Sequence, residues 1–277
     1  MEPDEIITEF LNETKQWIYS LSSSNNDFRS LHFKNFFANI FVCYFLYDCI
    51  IKGKNIHINS IQSRINEIAK KISTEEPSKI IDDFNKLVEN AELVTILAYE
   101  FFINYLYELF RDIYLRKLEY LKKVEKIEYK GYEIVDEVIK SGNSSEFIIR
   151  DLINLKFFGS KEESNLKTSP DFWLKLIDET KIELSAELKG FWEVFHDRRN
   201  AASHIDAKEK WEKIKNKIDS ELFDVRIWLY GLLFLAYKID EKFCSKFGIE
   251  LVEIDMNFTR QPVYEMEQLN LSGKAKN

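Results

Sequence analysis

The spacing of apolar and polar positions makes the chain a succession of helices. Glu2–Leu21 repeats apolar residues at helical intervals through Ile6, Phe10, Trp17, Ile18 and Leu21. The polar run Ser22–Asp27 ends in a capping residue, so a second helix is expected from about Phe28 to Ile51. Phe36, Phe37, Phe41, Phe45 and Leu46 make that helix apolar on nearly all sides, which calls for burial by neighbours or by a partner chain. Lys52–Asn55 closes it, a third helix is expected over Ile58–Ile72, and Ser73–Pro77 breaks the pattern. From Pro77 to Val124 the pattern is nearly unbroken helix, with Leu97, Phe101, Tyr105 and Leu109 as a core stripe. Glu100 sits inside that apolar stretch, and a carboxylate there needs a partner or a solvent edge.

Beyond it, Lys122–Lys130 is a charged connection, Gly131–Lys140 fits helix or strand, Ser141–Ser145 is a loop, and Glu146–Phe157 reads as a short helix. Gly159–Ser169 is polar, and Ser169-Pro170-Asp171 predicts a helix start with Ser at the N-cap and Pro at the first turn. Lys181–Gly190 leads into a helix from Gly190, and Lys208–Phe247 reads as one long helix through Trp211, Ile214, Ile218, Phe223, Trp228 and Leu232. Val252–Phe258 alternates apolar and polar residues, a strand pattern that needs a partner: Tyr129–Ile134, Lys181–Leu184 or a second chain. Ser272–Asn277 is expected to be disordered.

Composition agrees with helices. Among 277 residues only 8 are Gly and 4 are Pro, too few breakers for a turn-rich β fold. A 45% hydrophobic content supports a sizeable core. The net charge of -8 argues against a general nucleic-acid coat protein, while leaving room for a local basic site. Cys43, Cys49 and Cys244 are odd in number and lack CxxC spacing, which reads as buried thiols in a reducing compartment. The acidic N-terminus is unlike a signal peptide, and the apolar runs Phe36–Ile51 and Ile227–Tyr237 are too short to span a membrane. The expectation is a soluble cytoplasmic protein without membrane partners.

The most informative stretch is Gly190–Asp206. On a helix, at about 100° per residue, Phe191, Val194, Phe195, Ala201, Ala202 and Ile205 fall on one side. The other side carries Glu193, His196, Arg199, Asn200, Ser203 and His204, the last five at i, i+3, i+4, i+7, i+8. The chain's other polar faces are mostly Lys and Glu, so an arc of His, Arg, Asn and Ser is distinctive.

Arg199-Asn200-Ala201-Ala202-Ser203-His204 resembles the R-x(4–6)-H signature of the HEPN superfamily of nucleotide-binding and ribonuclease domains. Ala98-Tyr99-Glu100 and Phe102 are similar to the first helix of many of its members. The resemblance covers at most Glu92–Phe247; residues 1–90 carry no recognisable motif. Together with the helical pattern it leads to the expectation of an all-α protein: a HEPN-like helical bundle over 91–247, preceded by the helical extension over 1–90 and followed by the C-terminal strand and tail over 248–277 that the pattern predicts. It also implies a metal-independent endoribonuclease, a toxin or phage-defence effector, whose two motifs face each other across a homodimer cleft. An antitoxin or regulatory protein would then be a partner beside the RNA substrate.

Cleavage of RNA without metal needs a base for the 2′-hydroxyl, a cation for the phosphorane and an acid for the 5′-oxygen. His204 suits either proton role and Arg199 the charge role. Asn200 and Ser203 can position sugar or phosphate, and His196 is a second proton-transfer candidate on the same arc. Glu193 borders the arc, and Glu100 is a candidate orienter of Arg199 or His204. Arg198 lies nearer the apolar stripe, where an ion pair is expected instead. Some members of the superfamily have lost catalysis, so the alternative is an inactive HEPN-like module that binds a partner protein or a nucleotide. No cofactor or metal is called for: His196-Asp197 lacks the companions of a metal-binding HD site, with only His32 and His57 upstream. Walker, GxGxxG and GxSxG motifs are missing.

Overall fold

A computed structural model of the chain describes residues 3–22, 26–51, 93–116, 157, 167–203, 209, 211–214, 216 and 224–255. These residues form an all-α fold with a short C-terminal strand. The helices are α1 (Pro3–Ser22), α2 (Leu31–Ile51), α3 (Leu93–Arg116), α4 (Pro170–Glu179), α5 (Ala186–Ser203) and α6 (Val225–Phe247); the strands are β1 (Asn26–Ser30) and β2 (Leu251–Asp255). The expected helix over Ile58–Ile72, the segments between Lys122 and Lys156, and Ser272–Asn277 lie outside the described residues. No helix among the described residues is long and apolar enough to cross a membrane.

The chain divides into two compact units, Met1–Phe101 with Leu184–Asn277, and Phe102–Glu183. In the first, α6 is the central element, packed by α1, α2, α5 and β1. Its residues from Ile227 to Ala236 are all buried, which accounts for a segment that is apolar on every side. Close approach of the helices depends on two glycines. A Cβ on Gly231 would lie 2.5 Å from the Phe191 ring of α5, and one on Gly190 would lie 3.1 Å from Ile6 of α1. Phe10 stacks on Phe191 at 4.2 Å, and Phe191 stacks on Trp228 at 5.5 Å, so aromatic rings join α1, α5 and α6.

The second unit is organised around Phe157 and Trp173, whose rings stack at 5.2 Å, with Phe110 and Tyr114 alongside. Ser169 is the N-cap of α4 with Pro170 in the first turn, as the sequence predicts, although the Ser169 side chain makes no capping bond.

Three expectations are corrected. First, the segment from Asn26 is a strand, and α2 begins at Leu31 rather than Phe28. The cap is Ser30, whose Oγ accepts from Phe33 N at 3.0 Å, while Asp27 accepts its neighbour's N–H and forms an ion pair with Arg29. Second, β2 pairs with β1, antiparallel with Phe28 opposite Glu253, and not with Lys181–Leu184. The partner lies more than 200 residues away, and five polar-rich residues carry no local strand signal. Third, Lys208–Phe247 is not one helix. Asp224 breaks it by adopting an extended backbone and accepting from Arg226 N at 2.9 Å, so α6 starts afresh at Val225.

Burial of α2 is one-sided. Phe33, Phe36, Phe37, Ile40, Cys43 and Leu46 are buried, while Phe45 stays 52% exposed. Cys43 and Cys244 are free thiols, Cys43 buried and Cys244 half-buried.

Candidate functional site

α5 begins four residues before Gly190 because Ser185 caps it: Leu188 N reaches Ser185 Oγ at 3.4 Å, and the same hydroxyl lowers the Glu187 carboxyl from its ordinary value. The 3.6-residue period then sorts the helix as the sequence predicts. Phe191, Val194, Phe195 and Ala201 are buried, and Glu193 is exposed. Ala202 is half-buried rather than buried.

Four of the expected polar residues come together. The Arg199 guanidinium donates from Nη2 to Glu100 Oε1 of α3 at 2.6 Å and from Nη1 to Asn200 Oδ1 at 3.0 Å. The Asn200 amide nitrogen lies 3.3 Å from both ring nitrogens of His196. Glu100 therefore meets Arg199, one of the two motif residues for which it is a candidate orienter. The side chains of Arg199 and Glu100 keep 17% and 39% of their exposure, so this ion pair sits at the rim of the packed interior. Ser203 is the last residue of α5 and its side chain is outside the described set, as are His204 and Ile205.

Arg198 and Arg199 face different surroundings. Arg198 is buried, with its guanidinium 5.3 Å from the Trp211 ring centre and 5.0 Å from that of Trp228. The Trp211 and Trp228 rings reach Arg198 from segments whose approach the sequence does not report. Arg199 is the one turned toward α3 and the polar arc.

Sequence reasoning gave no role to the residues beneath this cluster. The Tyr99 ring is buried, stacks on Phe195 at 6.0 Å and lies 5.5 Å from the His196 ring. Trp192 Nε1 donates to the Tyr99 hydroxyl at 3.1 Å. Burial pushes the Tyr99 hydroxyl well above its ordinary range; the Trp192 bond and the Arg199 charge offset part of that, and Glu100 adds to it. Tyr99 thus stays neutral and acts as a floor for Arg199 and His196. The available signal was positional: Trp192 precedes His196 by one helical turn, and Tyr99 precedes Glu100 directly.

Chemically, the cluster offers a fixed planar cation, an imidazole and an amide, with a carboxylate that holds the cation's orientation. Among the described residues no three His, Cys, Asp or Glu side chains come together as metal ligands would. Comparison with protein-family models, with curated proteins and with solved structures finds no match for this chain.

Proposed function

We propose that the chain is a metal-independent endoribonuclease with a HEPN-like bundle, acting in the cytoplasm as a toxin or defence effector. The observation that supports this reading best is the clamp on Arg199: Glu100 and Asn200 hold its fork beside His196. A guanidinium fixed in this way is pre-organised for two phosphate oxygens. In the proposed reaction the RNA 2′-hydroxyl attacks the adjacent phosphorus, a histidine accepts its proton, and the P–O5′ bond breaks as the 5′-oxygen takes up a proton. Arg199 holds the charge of the phosphorane. Two copies supply two Arg199/His204 pairs to a shared cleft, and an antitoxin or regulator would restrain them.

The test is cleavage of RNA by purified protein in EDTA. The expected product ends in a 2′,3′-cyclic phosphate, and a 2′-deoxy sugar at the cut site blocks the reaction. If EDTA stops cleavage and Mg²⁺ restores it, or the deoxy substrate is cut equally fast, the scheme is wrong. Light scattering checks the assembly: a mass of one subunit with full activity counts against the shared cleft.

One observation favours the second reading, an inactive or closed HEPN-like module. Nη2 of Arg199 already bonds to a carboxylate, which competes with any phosphate.

A further inference from the structure

The hydrogen bonds around Asn200 run in one direction. Arg199 can only donate, so its Nη1 at 3.0 Å fixes the Asn200 amide with Oδ1 toward the guanidinium. The reverse orientation would set two donors against each other. The remaining amide group, Nδ2, is a donor, and it lies 3.3 Å from both Nδ1 and Nε2 of His196. Equal distances put the amide nitrogen over the N–C–N side of the ring instead of along a single lone pair. A neutral imidazole accepts such a donor, through a lone pair or its π face. An imidazolium would meet the donor and, next along the chain, the Arg199 cation.

We propose that Asn200 is a positioning residue that keeps His196 unprotonated beside Arg199, so that the ring remains a proton acceptor. Among the described residues, the carboxylates near His196 favour its protonation and Arg199 opposes it, so the Asn200 donor adds to the Arg199 side. On α5, Glu193 is exposed and lies one turn before His196, Asp197 follows it directly, and Arg199 opposes protonation. From α3, the neutral Tyr99 ring lies at 5.5 Å and the Glu100 carboxylate is bound to Arg199. α1 and α6 meet α5 through the aromatic rings of Phe10 and Trp228, which stack on Phe191, and through Trp228 beside Arg198.

The consequence for catalysis rests on the ribonuclease reading, but the protonation state can be measured without it. The chain has four His, so the His196 ring signal is assigned by its loss in His196→Gln, and its NMR titration is followed in the full chain. Asn200→Asp replaces the donor with a carboxylate and should raise the titration midpoint of His196 by about one pH unit or more. Asn200→Ala removes the donor alone and should raise it by less. Asn200 is half-buried on the polar arc, so Asn200→Ala opens no core cavity and decides the matter even if the Asp variant folds poorly. A midpoint that stays put or falls in the folded variants overturns the proposal. If RNA is cleaved, the acidic limb of the rate profile should move to higher pH with Asn200→Asp. A chain that cleaves nothing but whose His196 titrates as expected sinks the ribonuclease reading and leaves this inference standing.

Discussion

Glu100 and Arg199, separated by 99 positions in the sequence, meet at 2.6 Å between α3 and α5. The pair is where the two readings of the site diverge. If Glu100 orients the guanidinium for phosphate, Glu100→Ala should loosen the fork and lower cleavage about 10-fold or more, with RNA binding unchanged or slightly tighter. If Glu100 instead keeps the site closed, the same variant should raise activity. Cleavage rates of wild type and Glu100→Ala at saturating RNA separate the two.

Arg199 and His204 should fail differently. Arg199→Lys keeps the charge but loses the planar fork, so turnover should fall by about 10²-fold while binding weakens only modestly. His204→Ala should leave binding intact and lower turnover by about 10²–10⁴-fold, the usual loss for a missing acid or base. In cells, the proposed ribonuclease should be toxic when expressed, and His204→Ala should relieve that toxicity. Equal toxicity of the two proteins would count against a catalytic histidine.

Asp240 ties the N-terminal ribbon to the central helix. Its carboxylate is fully buried, accepts from Ser30 N at 3.0 Å and from the Ser30 hydroxyl, and so holds the residue that ends β1 and caps α2. Asp240→Ala leaves a buried N–H and hydroxyl without that acceptor, at a cost of about 1–3 kcal/mol. Asp240→Asn keeps one acceptor oxygen and should cost less. Denaturant midpoints for the two variants check the order; equal stabilities would contradict it.

The helices were legible where a single period sorts apolar from polar residues. Phe191, Val194 and Phe195 are buried and Glu193 is exposed, as the helical arc of α5 requires. Pairings between distant segments were not. Nothing local to Asn26–Ser30 announces β2, because the strand exists through hydrogen bonds to residues more than 200 positions away. Asp27 and Ser30 are both good caps by type, and only the buried Asp240 selects Ser30. At the site, the spacing placed His196, Arg199 and Asn200 on one arc, but their contacts with Glu100 and the floor of Tyr99 depend on how α3 meets α5.

Cys244 gives the chain an alkaline limit that can be measured. It lies one turn after Asp240 and its Sγ donates to Asp240 Oδ2 at 3.4 Å. Burial, then the charge of Asp240 and the bond to it, push the thiol up to about 12. An unfolded cysteine loses its proton at about 8.5. The folded state therefore holds this proton over a window in which the unfolded state has lost it. The sign follows: the stabilisation is fully present below about pH 8.5 and is lost as pH rises toward 12. Tyr99, raised by burial, acts in the same direction at still higher pH. Two outcomes are expected. Alkylation of Cys244 at pH 8, followed by peptide mass spectrometry, should be slow in native protein and fast in denaturant. Cys244→Ala should lose less stability than wild type between pH 9 and pH 11. A native Cys244 that reacts as fast as an unfolded thiol, or two proteins with parallel stability curves across that window, would show that burial and Asp240 together do not hold the proton on Cys244.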